Sequence, residues 1–178
     1  EHFVSDEAAL VAIPAHLTYD EAATRSCAGT TAGNALFADG GLEPGATVVL
    51  LGTGGVSIIA LQLAHAAGLR TIVTSSSDAK LERARALGAD ATINYRATPE
   101  WQDEVLRLTG GPGADLVVDV GGTDPLPRPV AATQVGGIVS VLGGLRRSPR
   151  PEPGLLSPIG RIRRLHGLTG RLPLPLPD

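Results

Sequence analysis

Three glycines in the run Gly52-Thr53-Gly54-Gly55-Val56-Ser57 separate two apolar stretches, Thr47-Val48-Val49-Leu50-Leu51 before it and Val56-Ser57-Ile58-Ile59-Ala60-Leu61-Gln62-Leu63-Ala64 after it. The first has the β-branched character and length of a buried strand, and the second reads as a helix. Strand, glycine turn and helix in this order can hold a pyrophosphate with backbone alone. Gly52 permits the sharp turn, Gly54 lets N–H groups approach the ligand, and a helix starting at Gly55 aims its positive end at the phosphates. The candidate cradle is therefore Gly52, Thr53, Gly54, Gly55 and Val56. A tight turn in any α/β protein could carry the same glycines, and the third position of the pattern is Ser57 instead of glycine. Context favours the cradle, because a second strand at 71–74 closes a strand-helix-strand unit around it.

The end of that second strand bears on which dinucleotide fits. An acidic residue about 20 positions past the glycines would accept hydrogen bonds from the ribose hydroxyls of NAD and repel a 2′-phosphate. This chain has Thr74-Ser75-Ser76-Ser77 there, and its one lysine, Lys80, stands a helical turn further on. The small hydroxyls of Ser75 and Ser76 leave room and donate hydrogen bonds, and Lys80 can pair with phosphate charge, so NADP(H) is the expected cofactor. Lys80 could equally be a solvated helix residue. Asp78 is read as the cap of the next helix in preference to a displaced ribose ligand. At the far end of the ligand, backbone at Val120-Gly121-Gly122 and Leu142-Gly143-Gly144 would cradle the nicotinamide, since ligands lie outside the carboxyl ends of parallel strands; these glycines could also simply terminate strands.

Other chemistries find little support. His2, His16, His65 and His166 lack ligand spacing, His65 is expected to face solvent from its helix, and no Ser/His/Asp set or carboxylate pair suggests itself as catalytic. The net charge of −3 hides an asymmetry: up to residue 144 there are 8 Arg and Lys against 16 Asp and Glu, and beyond it 7 Arg against 2 acids. That basic, proline-rich end lacks interleaved aromatics, so a solvated surface is expected in place of nucleic-acid binding. No stretch has the length and apolarity of a membrane span, and the first residues do not resemble a signal peptide. With a single cysteine there is no disulfide framework. A cytoplasmic protein bound to neither membrane nor nucleic acid is expected.

The elements that must position these residues are legible as alternation. The chain has 178 residues, 43% of them hydrophobic but only 3% aromatic, so its core is built from Ala, Val, Leu and Ile. An edge strand at 2–4 and a turn at 13–18 lead to a helix from Tyr19 to about Phe37, broken around Cys27-Ala28-Gly29. Strands are expected at 47–51, 71–74, 91–94, 115–120 and 138–142, with a last one at 165–169. Helices are expected from Gly55, over 78–87 and over 100–109. Pro125, Pro127 and Pro129 remove N–H donors where the next helix should begin, which shortens it to 130–134 or replaces it by a loop. Strands alternating with helices predict a doubly wound parallel α/β sheet of about six strands, with helices on both faces. Residues between 143 and 158 are expected to be irregular, and 171–178 a Pro-rich extended tail.

These features together resemble the medium-chain dehydrogenase/reductase superfamily, which includes alcohol dehydrogenases and quinone oxidoreductases. The resemblance runs to about residue 144. It rests on Ala22-Ala23, Cys27-Ala28-Gly29-Thr30-Thr31-Ala32, Leu42-Glu43-Pro44-Gly45, the glycine turn, Lys80-Leu81-Glu82-Arg83-Ala84, Leu87-Gly88-Ala89-Asp90, Ile93-Asn94-Tyr95 and the glycine pairs after the fourth and fifth strands. It implies a Rossmann cofactor domain over 21–170, preceded in 1–20 by the exit strand and linker of a GroES-like catalytic domain. Since Glu1 is no initiator and no methionine is present, a fragment, a processed chain or a truncated homologue is expected. It also implies that Thr31 lies near the nicotinamide ribose, that Tyr95 can offer its hydroxyl to a 2′-phosphate, and that a homodimer can form through the sixth strand.

In zinc-dependent members the cysteine matching Cys27 is a catalytic metal ligand, whereas zinc-independent members can carry it without metal. Three protein ligands are needed, so no zinc is expected in this chain. The expected activity is hydride transfer between NADP(H) and a small carbonyl, enone, quinone or alcohol, by positioning, with no dedicated acid required. The alternatives are a non-catalytic module that binds cofactor or a partner, and a piece of an NAD- and zinc-dependent alcohol dehydrogenase. An S-adenosylmethionine methyltransferase is disfavoured by the resemblance across several strands.

Overall fold

The structure is a computed structural model, and it describes residues 4–121, 127–142 and 164–167. Six parallel strands form one sheet: β1 (Thr47–Leu51), β2 (Arg70–Ser75), β3 (Ala91–Asn94), β4 (Ala114–Asp119), β5 (Thr133–Val141) and β6 (Arg164–Gly167), in the spatial order β3-β2-β1-β4-β5-β6. The sheet is thus wound outward in both directions from the β1–β4 pair. The helices are α1 (Tyr19–Ala23), α2 (Ser26–Gly33), α3 (Gly55–Ala66), α4 (Asp78–Ala86), α5 (Trp101–Thr109) and α6 (Pro127–Ala131).

Alternate residues of each strand feed two cores, as the two-residue period of a strand dictates. Val48, Leu50, Val73, Leu116 and Val118 pack on one face with Ala32, Leu36, Leu61 and Leu81 from the helices around them. Val49, Leu51, Ile72 and Val117 pack on the other with Trp101, Val105 and Val130. Every residue of β1 is buried. Helices therefore cover both faces, as doubly wound patterning requires.

Carboxylates close the amino edge of the sheet. Asp115 accepts from the Thr47 N–H at 2.7 Å and from the Gln134 side-chain amide at 2.5 Å. Asp90, just ahead of β3, accepts from the Thr71 N–H at 2.7 Å and from its hydroxyl at 3.1 Å. Each aspartate satisfies an N–H near the start of the strand beside it.

Several sequence expectations shift. Val4 lies outside any strand, and residues 1–3 fall outside the described part. The helix from Tyr19 starts on a Thr18–Glu21 capping box, in which the Thr18 N–H and hydroxyl hold the Glu21 carboxyl below its ordinary value. Its break falls at Thr24-Arg25 and not at Cys27-Ala28-Gly29, which lie inside α2; a wider π turn, Asn34–Ala38, continues that helix. Strand β5 begins five residues early because the chain pairs Thr133 with Ala114, slips, and pairs again from Ile138. Helix α6 is short, as the prolines demand, yet it spans Pro127–Ala131 instead of 130–134. Pro127 and Pro129 sit in its first turn, where a missing N–H costs no helical hydrogen bond. Pro125, residues 143–158 and residues 171–178, for which the sequence carries expectations, lie outside the described residues. Among the described residues no helix is long and apolar enough to cross a membrane.

Asp115→Ala leaves the Thr47 N–H without its charged acceptor, and urea unfolding is expected to show a loss of about 2 kcal/mol. A loss below ~0.5 kcal/mol would show that this strut contributes nothing.

Candidate cofactor site

The parallel register brings the carboxyl ends of the central strands into one row: Leu51 is level with Thr74 on one side and with Asp119 on the other, and Asp119 is level with Val141. The chain leaves β1 at Gly52 with φ +88°, a conformation open to glycine and costly for other residues. Gly54 differs. Its φ of −79° and ψ of 177° suit any residue, and a Cβ added at Gly54 or Gly55 would meet nothing within 4 Å. Neither backbone strain nor the protein's own packing therefore calls for glycine at these two positions; Gly54 is an ordinary N-cap residue, whereas Gly55 in the first helical turn costs stability. The space beside them is open. Gly54 is the N-cap of α3 without a side-chain cap, which leaves first-turn N–H groups unclaimed by side chains at the positive end of a 12-residue helix.

Hydroxyls hold this loop from behind. Ser57, where the pattern would have a third glycine, is buried and donates to the Leu51 carbonyl at 3.3 Å, tying the first turn of α3 to the end of β1. The Gly52 N–H donates to the Thr74 hydroxyl at 3.2 Å, and the Thr53 and Ser75 hydroxyls lie 3.5 Å apart. Ser75 is buried, and its Oγ also accepts from the Ser77 N–H at 3.3 Å. It therefore links the glycine loop to the start of α4, a role its place in the sequence did not reveal.

Beyond the row lies a cavity of about 270 Å³. Leu51, Pro99 and Trp101 give it an apolar surface, while Gly52, Thr74 and Tyr95 border it from β1, β2 and the end of β3. Asp119 and Gly121 reach it from the end of β4, and Arg128 from α6. Asp119 is buried, and its Oδ1 accepts from the Gly121 N–H at 3.2 Å.

Of the residues singled out in the sequence, Gly52, Tyr95 and Gly121 come together here, with Tyr95 partly exposed. Thr53, Gly54, Gly55 and Val56 form the adjoining loop and helix start. Ser75, Ser76 and Lys80 stand outside the cavity lining; Ser76 is half-buried, and Lys80 is exposed in the first turn of α4. Asp78 is the first residue of α4 and not its cap. Ser77 holds the cap position without a side-chain bond, and the Asp78 carboxylate accepts instead from the Asn94 amide at 2.7 Å. Thr31 lies half-buried on α2, away from this lining. Val120 is half-buried and packs against the core that also holds Leu142, whose N–H donates to the Asp119 carbonyl at 2.7 Å. Gly143 lies outside the described residues. His65 is exposed, as expected, with its ring against Gly88.

Sequence reasoning missed Trp101, Pro99, Asp119 and Arg128 as cavity residues. Asp119 carried a signal, being the last residue of a strand whose end was already flagged.

A zinc ion does not fit the described residues. Cys27 is exposed, and no three His, Cys, Asp or Glu side chains among these residues come together in a metal-binding group, whereas a catalytic zinc site takes three protein ligands.

Comparison with known proteins places this arrangement. Residues 55–167 match the family model of the zinc-binding dehydrogenases. A zinc-type alcohol dehydrogenase-like protein of Schizosaccharomyces pombe is 47% identical over 156 residues, which cover 86% of this chain and 45% of that protein. An NAD-dependent alcohol dehydrogenase superposes with a TM-score of 0.76 at 37% identity, covering 86% of this chain and 45% of that one. A mycobacterial protein solved in complex with NADPH superposes with a TM-score of 0.77 at 28% identity, over 87% and 48%. The chain thus spans about half the length of each of these three relatives. With its 3-2-1-4-5-6 parallel sheet, its glycine turn at the head of α3 and this family match, the chain belongs to the zinc-binding dehydrogenases of the medium-chain dehydrogenase/reductase superfamily and comprises their cofactor-binding domain.

Proposed function

We propose that the domain binds NADP(H), with the pyrophosphate at Gly52–Val56, and serves hydride transfer between the nicotinamide and a small carbonyl, enone, quinone or alcohol. The observation that carries the binding reading is the open space beside Gly54 and Gly55, two glycines whose backbone and packing do not call for glycine. A ligand pressed against bare backbone accounts for them, and the uncapped start of α3 supplies donors of the right polarity for phosphate. The adenosine end then lies in the cavity beside Tyr95 and Trp101. The nicotinamide end extends past Gly121 toward Leu142, with Thr31 contributing from α2.

The preference for NADP(H) rests on the head of α4. No carboxylate occupies the end of β2, where Ser75 and Ser76 leave room for a 2′-phosphate. The nearest acid, Asp78, is engaged by Asn94. Lys80 is exposed and able to swing toward a phosphate, and the Tyr95 hydroxyl completes the set. When bound, the nicotinamide carries the hydride; the residues of this chain bind it, orient it and fix its distance from a substrate, which is where the rate gain arises. β6, an outermost strand among the described residues, supplies the edge through which two copies would pair.

Separate calorimetric titrations with NADPH and NADH test the preference. NADPH is expected to bind at least tenfold more tightly, and Lys80→Ala to weaken NADPH roughly tenfold or more while shifting NADH less than twofold. Equal or tighter NADH binding would sink the serine and lysine argument. Thr74→Val, which keeps shape but removes the acceptor for the Gly52 N–H, is expected to cost about 1 kcal/mol of stability and to weaken both nucleotides alike. Unchanged binding of both would separate the latch from the site.

A further inference from the structure

Arg128 enters the cavity from α6, the element that the sequence treated only as a proline-broken helix. It is the one cation among the cavity-lining residues, facing a surface of Leu51, Pro99 and Trp101. Its guanidinium is held in place: it donates to the Pro99 carbonyl at 2.9 Å and to Glu100 Oε1 at 3.3 Å. Glu100 is steadied in turn through Oε2 by the Gln102 amide at 2.6 Å, and Gln102 is buried. The Arg128–Glu100 pair is long and substantially exposed, with side chains 35% and 61% accessible, so it contributes little to stability. What it does is fix a plane.

We infer that Arg128 is a base-recognition residue, its guanidinium stacking on the adenine of the bound dinucleotide against the Leu51 and Trp101 side of the cavity. This rests on the dinucleotide reading above and adds to it a residue and a contact. The surroundings decide between base and phosphate. Glu100, outside the lining, offsets the charge of Arg128, and the Asp119 carboxylate lines the cavity, so a phosphate dianion beside Arg128 would find a neutralised cation and face a carboxylate. A neutral purine meets no such repulsion. It gains instead from the planar, weakly hydrated guanidinium, which stacks plane on plane where an ammonium offers only a point charge. The cavity volume of about 270 Å³ accommodates a purine ring with its first hydrogen-bonding partners.

The test uses the 178-residue chain and three probes that share adenosine, namely ADP-ribose, NADH and NADPH, with quenching of the single tryptophan, Trp101, as one readout and calorimetry as the other. Arg128→Met and Arg128→Lys are each expected to weaken all three probes by a similar factor, roughly three- to thirty-fold, leaving the NADPH to NADH ratio unchanged. Wild-type affinity in Arg128→Lys would overturn the stacking role, and a loss confined to NADPH would show a phosphate contact in its place. Arg128→Lys keeps the charge and most of the stem, so its result decides the matter even where Arg128→Met melts early. Wild-type protein that binds the probes while both variants bind them equally well overturns this inference alone; wild-type protein that binds none of the three overturns the dinucleotide reading with it.

Discussion

Burial of β1 on both faces, with β2 and β4 hydrogen-bonded along its two edges, leaves the chain one way out of the sheet, over its carboxyl end. That exit requires a turn at once, and Gly52 makes it with a left-handed backbone. Everything at the site follows from this constraint. The turn sets the start of α3, the helix start sets where N–H groups are unclaimed, and the winding of the sheet in opposite directions from β1 and β4 opens the crevice that the cavity occupies.

The two edges of the sheet are finished with different chemistry. At the amino edge, carboxylates of Asp90 and Asp115 accept the strand N–H groups and seal it. At the carboxyl edge, the hydroxyls of Ser57, Thr74 and Ser75 brace the loop from behind. Hydroxyls there add no negative charge. The buried carboxylate at this end, Asp119, accepts from the Gly121 N–H after β4, so the bracing of the glycine loop itself adds no negative charge beside the helix start, which fits a polyanionic ligand there.

The sheet was legible in the sequence because its strands are short β-branched runs bounded by glycine turns, and β3 was read to the residue. The failures have local causes. The Thr24-Arg25 break was misplaced because Cys27-Ala28-Gly29 looks weakly helical, while the capping box at Thr18 that sets the short α1 went unread. The early start of β5 is not legible because Thr133 pairs with Ala114 ahead of a register slip, with Gly136 and Gly137 between the two pairings, and such a slip leaves no local pattern. The position of Asp78 alone suggests a cap; its partner Asn94 lies at the end of β3, and a contact between the head of a helix and a neighbouring strand is invisible to local reading. The glycine turn and the start of α3 are legible because they are contiguous in sequence. The cavity is not, because Trp101, Asp119 and Arg128 are joined only by the fold.

The central claim is that backbone N–H groups at the head of α3 receive the ligand's phosphates. Amide chemical shifts of the 15N-labelled chain during titration with NADPH test it most directly. The account predicts that the largest shifts fall on the amides of Gly54, Gly55 and Val56, with the Trp101 indole signal moving along the same binding curve. Saturable binding that leaves those three amides in place would contradict it.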